Sequence, residues 1–116
     1  MPDLMGAARA YNAASAYRSD REQEADTFRR ATAALRLAKT SASPTARARA
    51  VADNTILWNT VINLLSDPLN RLPDSLRASI ISVGLAVKRD MESTAPNFDF
   101  LIAINDNIAA GLSGQI

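Results

Sequence analysis

The chain contains no cysteine and no histidine. The first absence excludes disulfides, thiol nucleophiles and thiolate metal sites, and the second removes imidazole ligands and the usual proton shuttle near neutral pH. We therefore expect a protein that is not an enzyme and carries no cofactor or metal. With four glycines and five prolines in 116 residues, collagen-like and low-complexity architectures are excluded as well. No stretch approaches the roughly 20 apolar residues needed to cross a bilayer, and no basic segment followed by an apolar signal core opens the chain. The expectation is a cytoplasmic protein that makes no membrane contact.

What is present suits a single soluble domain. Apolar residues make up 47% and charged residues 22% of the chain, and a domain of this length buries roughly two thirds of its unfolded surface. The net charge of +1 hides an asymmetry, because residues 1 to 50 hold nine Lys/Arg against five Asp/Glu and residues 51 to 116 hold four against seven. No segment alternates with period two for long enough to suggest a sheet. The pattern is that of an all-α bundle with three main helices and a shorter C-terminal one.

Residues 1 to 18 are alanine-rich, with Leu4, Ala8, Tyr11 and Ala14 or Ser15 at helical spacing but little bulk, and read as a marginal helix or mobile arm. The rest, residues 19 to 116, forms the domain. Ser19 and Glu22 have capping-box spacing, so a first helix is predicted from about Asp20, with Ala25, Phe28, Thr32, Leu35 and Ala38 facing the core. Ser43 before Pro44 starts a second helix that runs to about residue 66. Its main stripe is Ala48, Val51, Thr55, Trp58, Ile62 and Leu65, widened by Leu57, Val61 and Leu64. Pro73 opens a third helix, with Leu72 placed as a hydrophobic staple, and the short connection makes helices two and three antiparallel neighbours. A fourth helix is predicted over 98 to 111, with Phe98, Leu101, Ile104, Ile108 and Leu112 on one side and Gly111 as its terminator. Asn105 falls in that apolar stripe, where a buried amide would bond across to another helix.

The third helix carries apolar residues on two faces. At about 100° per residue, Leu76, Ile80, Val83, Gly84, Val87 and Met91 share one sector, whereas Ile81 and Leu85, beside Ala78, lie nearly opposite. Leaving Leu57, Leu64, Ile81 and Leu85 in water would forgo about 1.5 to 3 kcal/mol each, a large sum beside the 5 to 15 kcal/mol stability typical of a small domain. Two arrangements would cover them. Helices one and four could sandwich helix three, or a groove between helices two and three could accept an amphipathic helix from another chain, with Leu57, Leu64, Ile81 and Leu85 as the partner-binding residues. Gly84 suits both, since a residue without a side chain lets a second backbone approach.

The run "LPDSLRASIISVGLAV" (72 to 87), the Leu57-Trp58 pair and "LIAINDNIAAGL" (101 to 112) together resemble the FlaF family of flagellar biosynthesis proteins over residues 19 to 112. The resemblance implies an all-helical cytoplasmic protein that acts on flagellin. It would be an export chaperone for a terminal helical segment of flagellin and a regulator of its synthesis, alongside a second regulator, FlbT. Such segments are unfolded before export and need apolar cover until they assemble.

Other patterns carry less. "GLSGQ" at 111 to 115 lacks the final glycine of a nucleophile elbow, and no histidine is available as its base. Asp20 with Glu24 and Glu22 with Asp26 have the spacing of a cation or acid–base pair, but acids at a helix start explain them. The four glycines form no phosphate loop. Arg29, Arg30, Arg36, Lys39, Arg47 and Arg49 could line a basic strip, which gives the alternative functions: an RNA-binding regulator of flagellin mRNA with weak RNA contact, or an adaptor that recruits another regulator. Few aromatics are available to stack on bases.

Overall fold

A computed structural model describes residues 4 to 112, which form four α-helices: α1 (Leu4–Lys39), α2 (Pro44–Ser66), α3 (Asp74–Met91) and α4 (Phe98–Leu112). No strand occurs among the described residues.

Helix α1 is continuous over 36 residues, so the helix start predicted near Asp20 is not a start. Between Gly6 and Pro44 the chain has neither glycine nor proline, and alanine and straight-chain residues dominate. A capping box acts only where the preceding chain leaves the helix, and here helix propensity carries the backbone through Ser19. The segment read as a marginal helix or mobile arm is, from Leu4 onward, helical and continuous with the rest of α1. The predicted stripe is in place, with Ala25, Phe28, Thr32, Leu35 and Ala38 all buried. Thr32 satisfies its hydroxyl within the helix by donating to the Phe28 carbonyl at 2.6 Å.

Helix α2 has the predicted bounds and cap: the Ser43 hydroxyl accepts the Ala46 N–H at 3.2 Å, and Pro44 occupies the first turn. Its buried side is rotated from the predicted stripe, since Ala50, Asn54, Leu57, Trp58 and Leu65 are buried while Ala48 is exposed. The polar Asn54 defines this side, and an apolar periodicity cannot register it. Arg47 ties three elements together. Its Nη1 donates to the carbonyls of Ala38 and Lys39, at 3.2 and 3.1 Å, which closes the C-terminus of α1, and its guanidinium lies 4.6 Å from the Phe98 ring centroid.

The 67 to 73 connection is built from local side-chain bonds. Asp67 accepts from the Leu69 N–H at 2.9 Å, Asn70 accepts from the Leu72 N–H at 3.0 Å, and the Asn70 amide donates to the Leu64 carbonyl at 3.1 Å. Helix α3 then returns antiparallel to α2, as its pairings show: Gly84 meets Trp58 and Ile62, and Met91 meets Asn54 and Thr55. A Cβ at Gly84 would come within 3.0 Å of Ile62 Cγ1 and 3.1 Å of Trp58 Cε3, so the missing side chain sets the spacing of this pair.

Helix α4 is preceded by Asn97, whose side chain caps it by accepting the Phe100 N–H at 3.1 Å and whose own N–H donates to Asp90 at 2.9 Å. It continues through Gly111 to Leu112. It lies antiparallel to α1, linked by the exposed pairs Arg36–Asp106 and Lys39–Asp99. The three-helix centre is α1, α2 and α4, and α3 packs chiefly on α2. The sandwich of helix three between helices one and four is therefore not formed. At 1.5 Å per residue α1 is roughly 54 Å long against roughly 35 Å for α2. Both share one end of the bundle, so the N-terminal part of α1 overhangs the other end, and the long axis of the molecule reaches 66 Å.

Candidate partner-binding trough

The core beneath the site is organised by amides. Asn105, fully buried on α4, accepts the Trp58 indole N–H at 2.9 Å through Oδ1 and donates to Asn54 Oδ1 at 2.7 Å. Asn54, also fully buried, donates a hydrogen bond from Nδ2 to the Met91 sulfur at 3.2 Å, so α2, α3 and α4 share one chain of hydrogen bonds. The cross-helix bond predicted for Asn105 is present. Its partner Asn54 and the sulfur acceptor are additions that pattern reading missed. This network fixes the Trp58 ring, against which Phe28 of α1 packs edge-on at 5.8 Å and 84°.

Phe28 is also the floor of an open trough of about 320 Å³. Its walls come from every helix: Thr27 and Phe28 of α1, Leu57, Val61, Leu64 and Leu65 of α2, Ile80 of α3, and Ile108 and Leu112 of α4, with Leu72 on the connection. The trough lies where α2 ends while α1 runs on, so apolar stripes that are covered further down lose their cover at this end. Leu64 is 56% and Leu72 42% exposed. Among the described residues, the sole charged one in the lining is Glu24. Helix α2 adds a surface of the same character, since residues 54 to 66 carry no charge and Ile56 is exposed beside Thr60. Interface centres are depleted of charge in this way.

The four residues expected to bind a partner divide. Leu57 and Leu64 line the trough, Leu57 buried at its base and Leu64 at its rim. Ile81 and Leu85 do not line it, because Ile80 is the α3 residue turned toward the trough and the next position points about 100° away. Ile81 is half-buried, and Leu85 stands 49% exposed on the outer side of α3. The predicted groove between helices two and three is thus a trough at the end of the bundle that α1 and α4 complete. Leu72 was assigned to a staple, and Phe28, Ile108 and Leu112 to the core. The signal that could have found them is the mismatch in helix lengths.

The basic strip is largely engaged in holding the fold. Arg29 pairs with Asp26 at 2.9 Å, Arg36 with Asp106, Lys39 with Asp99, and Arg47 caps α1, leaving Arg30 and Arg49 as the exposed members without such a role. Among the described residues no cluster of acids has the make-up of a metal site, and no helix is long and apolar enough to cross a membrane.

Four helices and no strand among the described residues, with an open trough lined mainly by apolar side chains, define a small all-α protein. The family model described as flagellar protein FlaF matches residues 7 to 112, which is nearly the whole chain and takes in the N-terminal part of α1 as well as the bundle. The chain belongs to the FlaF family of flagellar proteins. No curated protein and no solved structure matches it significantly.

Proposed function

We propose that this protein binds flagellin through the trough, acts as its export chaperone in the cytoplasm and regulates flagellin synthesis, working alongside FlbT. It acts by binding and not by catalysis. The observation that carries the reading is the open apolar trough at the point where α2 ends and α1 runs on. A helix of flagellin laid there would take the place of the missing neighbour and cover Leu64, Leu72 and Leu112. An amphipathic segment that is unfolded before assembly needs this kind of cover. Family membership supplies the flagellar setting. The RNA reading is the weaker one, because most of the basic side chains it requires are engaged within the fold.

The test is capture of the tagged full chain from flagellated cells, with bound proteins identified and cellular and secreted flagellin measured in parallel. Flagellin should be recovered with the wild-type chain and lost with Leu64→Asp, and secretion should fall with it. Recovery of flagellin by the variant in undiminished amount would overturn the assignment of the trough. Recovery of a flagellin transcript without flagellin protein would establish the RNA reading in its place.

A further inference from the structure

The molecule is more extended than its mass requires. Its radius of gyration is 17.4 Å, against about 13 Å for a compact chain of this length. It exposes 8001 Å² of surface, where a compact monomer of 12.4 kDa exposes about 6,100 Å². The excess is more than the roughly 800 Å² that each partner hides in a standard interface. Its source is α1. Leu64 and Leu65, near the end of α2, line the trough together with Glu24 and Thr27 of α1, so residues 4 to 21, roughly 27 Å of helix, run on past that level. The described core begins at Ala25, and Ala8, Arg9 and Glu22 to Glu24 are exposed. A helical segment of this length draws most of its stability from packing on a neighbour. The chain thus carries, side by side, a helix that outruns its bundle and an apolar trough that stands open.

We infer that a second copy of the chain joins the two: residues 4 to 21 of each α1 lie antiparallel in the trough of the other, about a two-fold axis. The sequence places Leu4, Ala8 and Tyr11 at helical spacing, and the α1 residues of the trough are Glu24, Thr27 and Phe28. An axis crossing α1 near residue 17, roughly midway, sets the first group opposite the second in both directions at once. A parallel pairing would match trough with trough and leave both open. The crossing falls beside the run from Ala13 to Ala16, whose small residues let two helices approach closely. One trough cannot hold both the partner's α1 and a client helix. Resting on the reading of the trough as the client site, the dimer is therefore the stored form, and binding of the client splits it.

Sedimentation equilibrium of the full chain tests this. The wild type should sediment at twice the 12.4 kDa monomer mass in the micromolar range. Leu64→Asp in the trough and Ala8→Asp in the overhang should each raise the dissociation constant at least about a hundredfold, tenfold at each of the two copies of the site. Unchanged fluorescence of the buried Trp58 shows that the bundle of each variant is intact. Because the chain lacks cysteine, engineered disulfides report the register. Ala8→Cys combined with Glu24→Cys or with Thr27→Cys should give an oxidised, bridged dimer, and no single variant should. These sites lie roughly 24 to 29 Å apart along one helix, too far to bridge within a chain. A wild type that stays monomeric up to about 0.1 mM, a dimer that survives either aspartate, or bridging through Ala8→Cys alone would overturn the inference. Titration with flagellin keeps the two readings apart. Ala8→Asp should bind it at least as tightly as the wild type does. A monomeric wild type whose flagellin binding is lost with Leu64→Asp would leave the trough reading standing without the dimer. A dimer broken by Leu64→Asp, with undiminished flagellin binding by that variant, would leave the dimer standing and remove the trough as the client site.

Discussion

Replacing Asn105 by alanine should be among the most damaging single changes in this protein. The side chain is fully buried and serves two partners that have no water to turn to, the Trp58 indole N–H at 2.9 Å and Asn54 Oδ1 at 2.7 Å. Each group left unpaired costs about 1 to 3 kcal/mol. The space vacated adds a smaller term, because α1 and α2 can close on it only in part. We expect a loss of about 3 to 5 kcal/mol, a large share of the 5 to 15 kcal/mol typical of small domains. Urea unfolding measures it directly, and with a slope of about 1 to 3 kcal/mol per molar the midpoint should fall by roughly 1 to 5 M. Trp58 is the chain's single tryptophan and contacts the mutated site, so its fluorescence follows the transition alongside circular dichroism. The double-mutant cycle with Trp58→Phe should be strongly non-additive, since either change removes the same hydrogen bond. A cost below about 1 kcal/mol, or additive effects, would refute the claim that this network organises the core.

Three further outcomes are expected. Gly84→Ala should destabilise the fold by roughly 1 kcal/mol despite alanine's better helix propensity, because the new methyl meets Ile62 and the fixed Trp58 ring at 3.0 to 3.1 Å; equilibrium unfolding checks the sign, and a gain in stability would show that the α2–α3 contact gives way easily. Ser43→Ala should cost about 1 kcal/mol through loss of the α2 cap, seen as a lower urea midpoint with an unchanged slope. Arg47→Met should cost about 1 to 3 kcal/mol, by releasing the α1 carbonyls and the Phe98 ring, whereas Arg49→Met should stay within about 0.5 kcal/mol. Equal effects at the two arginines would contradict the structural role given to Arg47.

Local signals carried most of the fold. The Ser43-Pro44 start, the α1 stripe from Ala25 to Ala38 and the buried Asn105 were all legible, because each rests on a cap, a period or an unmatched polar group within one segment. The start of α1 was misread, since Ser19 and Glu22 have the composition of a cap while the flanking sequence has the propensity of a helix interior. The rotation of α2 was hidden by Asn54, a core residue that looks like a surface one. The lining of the candidate trough was half legible. Helical wheels showed that Leu57 and Leu64 exceeded what one stripe requires, but whether Ile80 or Ile81 faces the same space depends on how α3 is rolled on α2. That roll is set by Gly84 against Trp58 and Ile62, a tertiary contact that no periodicity encodes.

The central claim is that the end trough, and not the outer side of α3, holds a helix of flagellin. Titrating purified flagellin into the wild-type chain, Leu64→Asp and Leu85→Asp under identical conditions tests it most directly, both substitutions being at partly exposed sites and the fold of each variant being checked by circular dichroism. The account predicts that Leu85→Asp binds as the wild type does and that Leu64→Asp binds at least about tenfold more weakly, as expected from losing one buried leucine contact. Undiminished binding by a folded Leu64→Asp, or loss confined to Leu85→Asp, would contradict it.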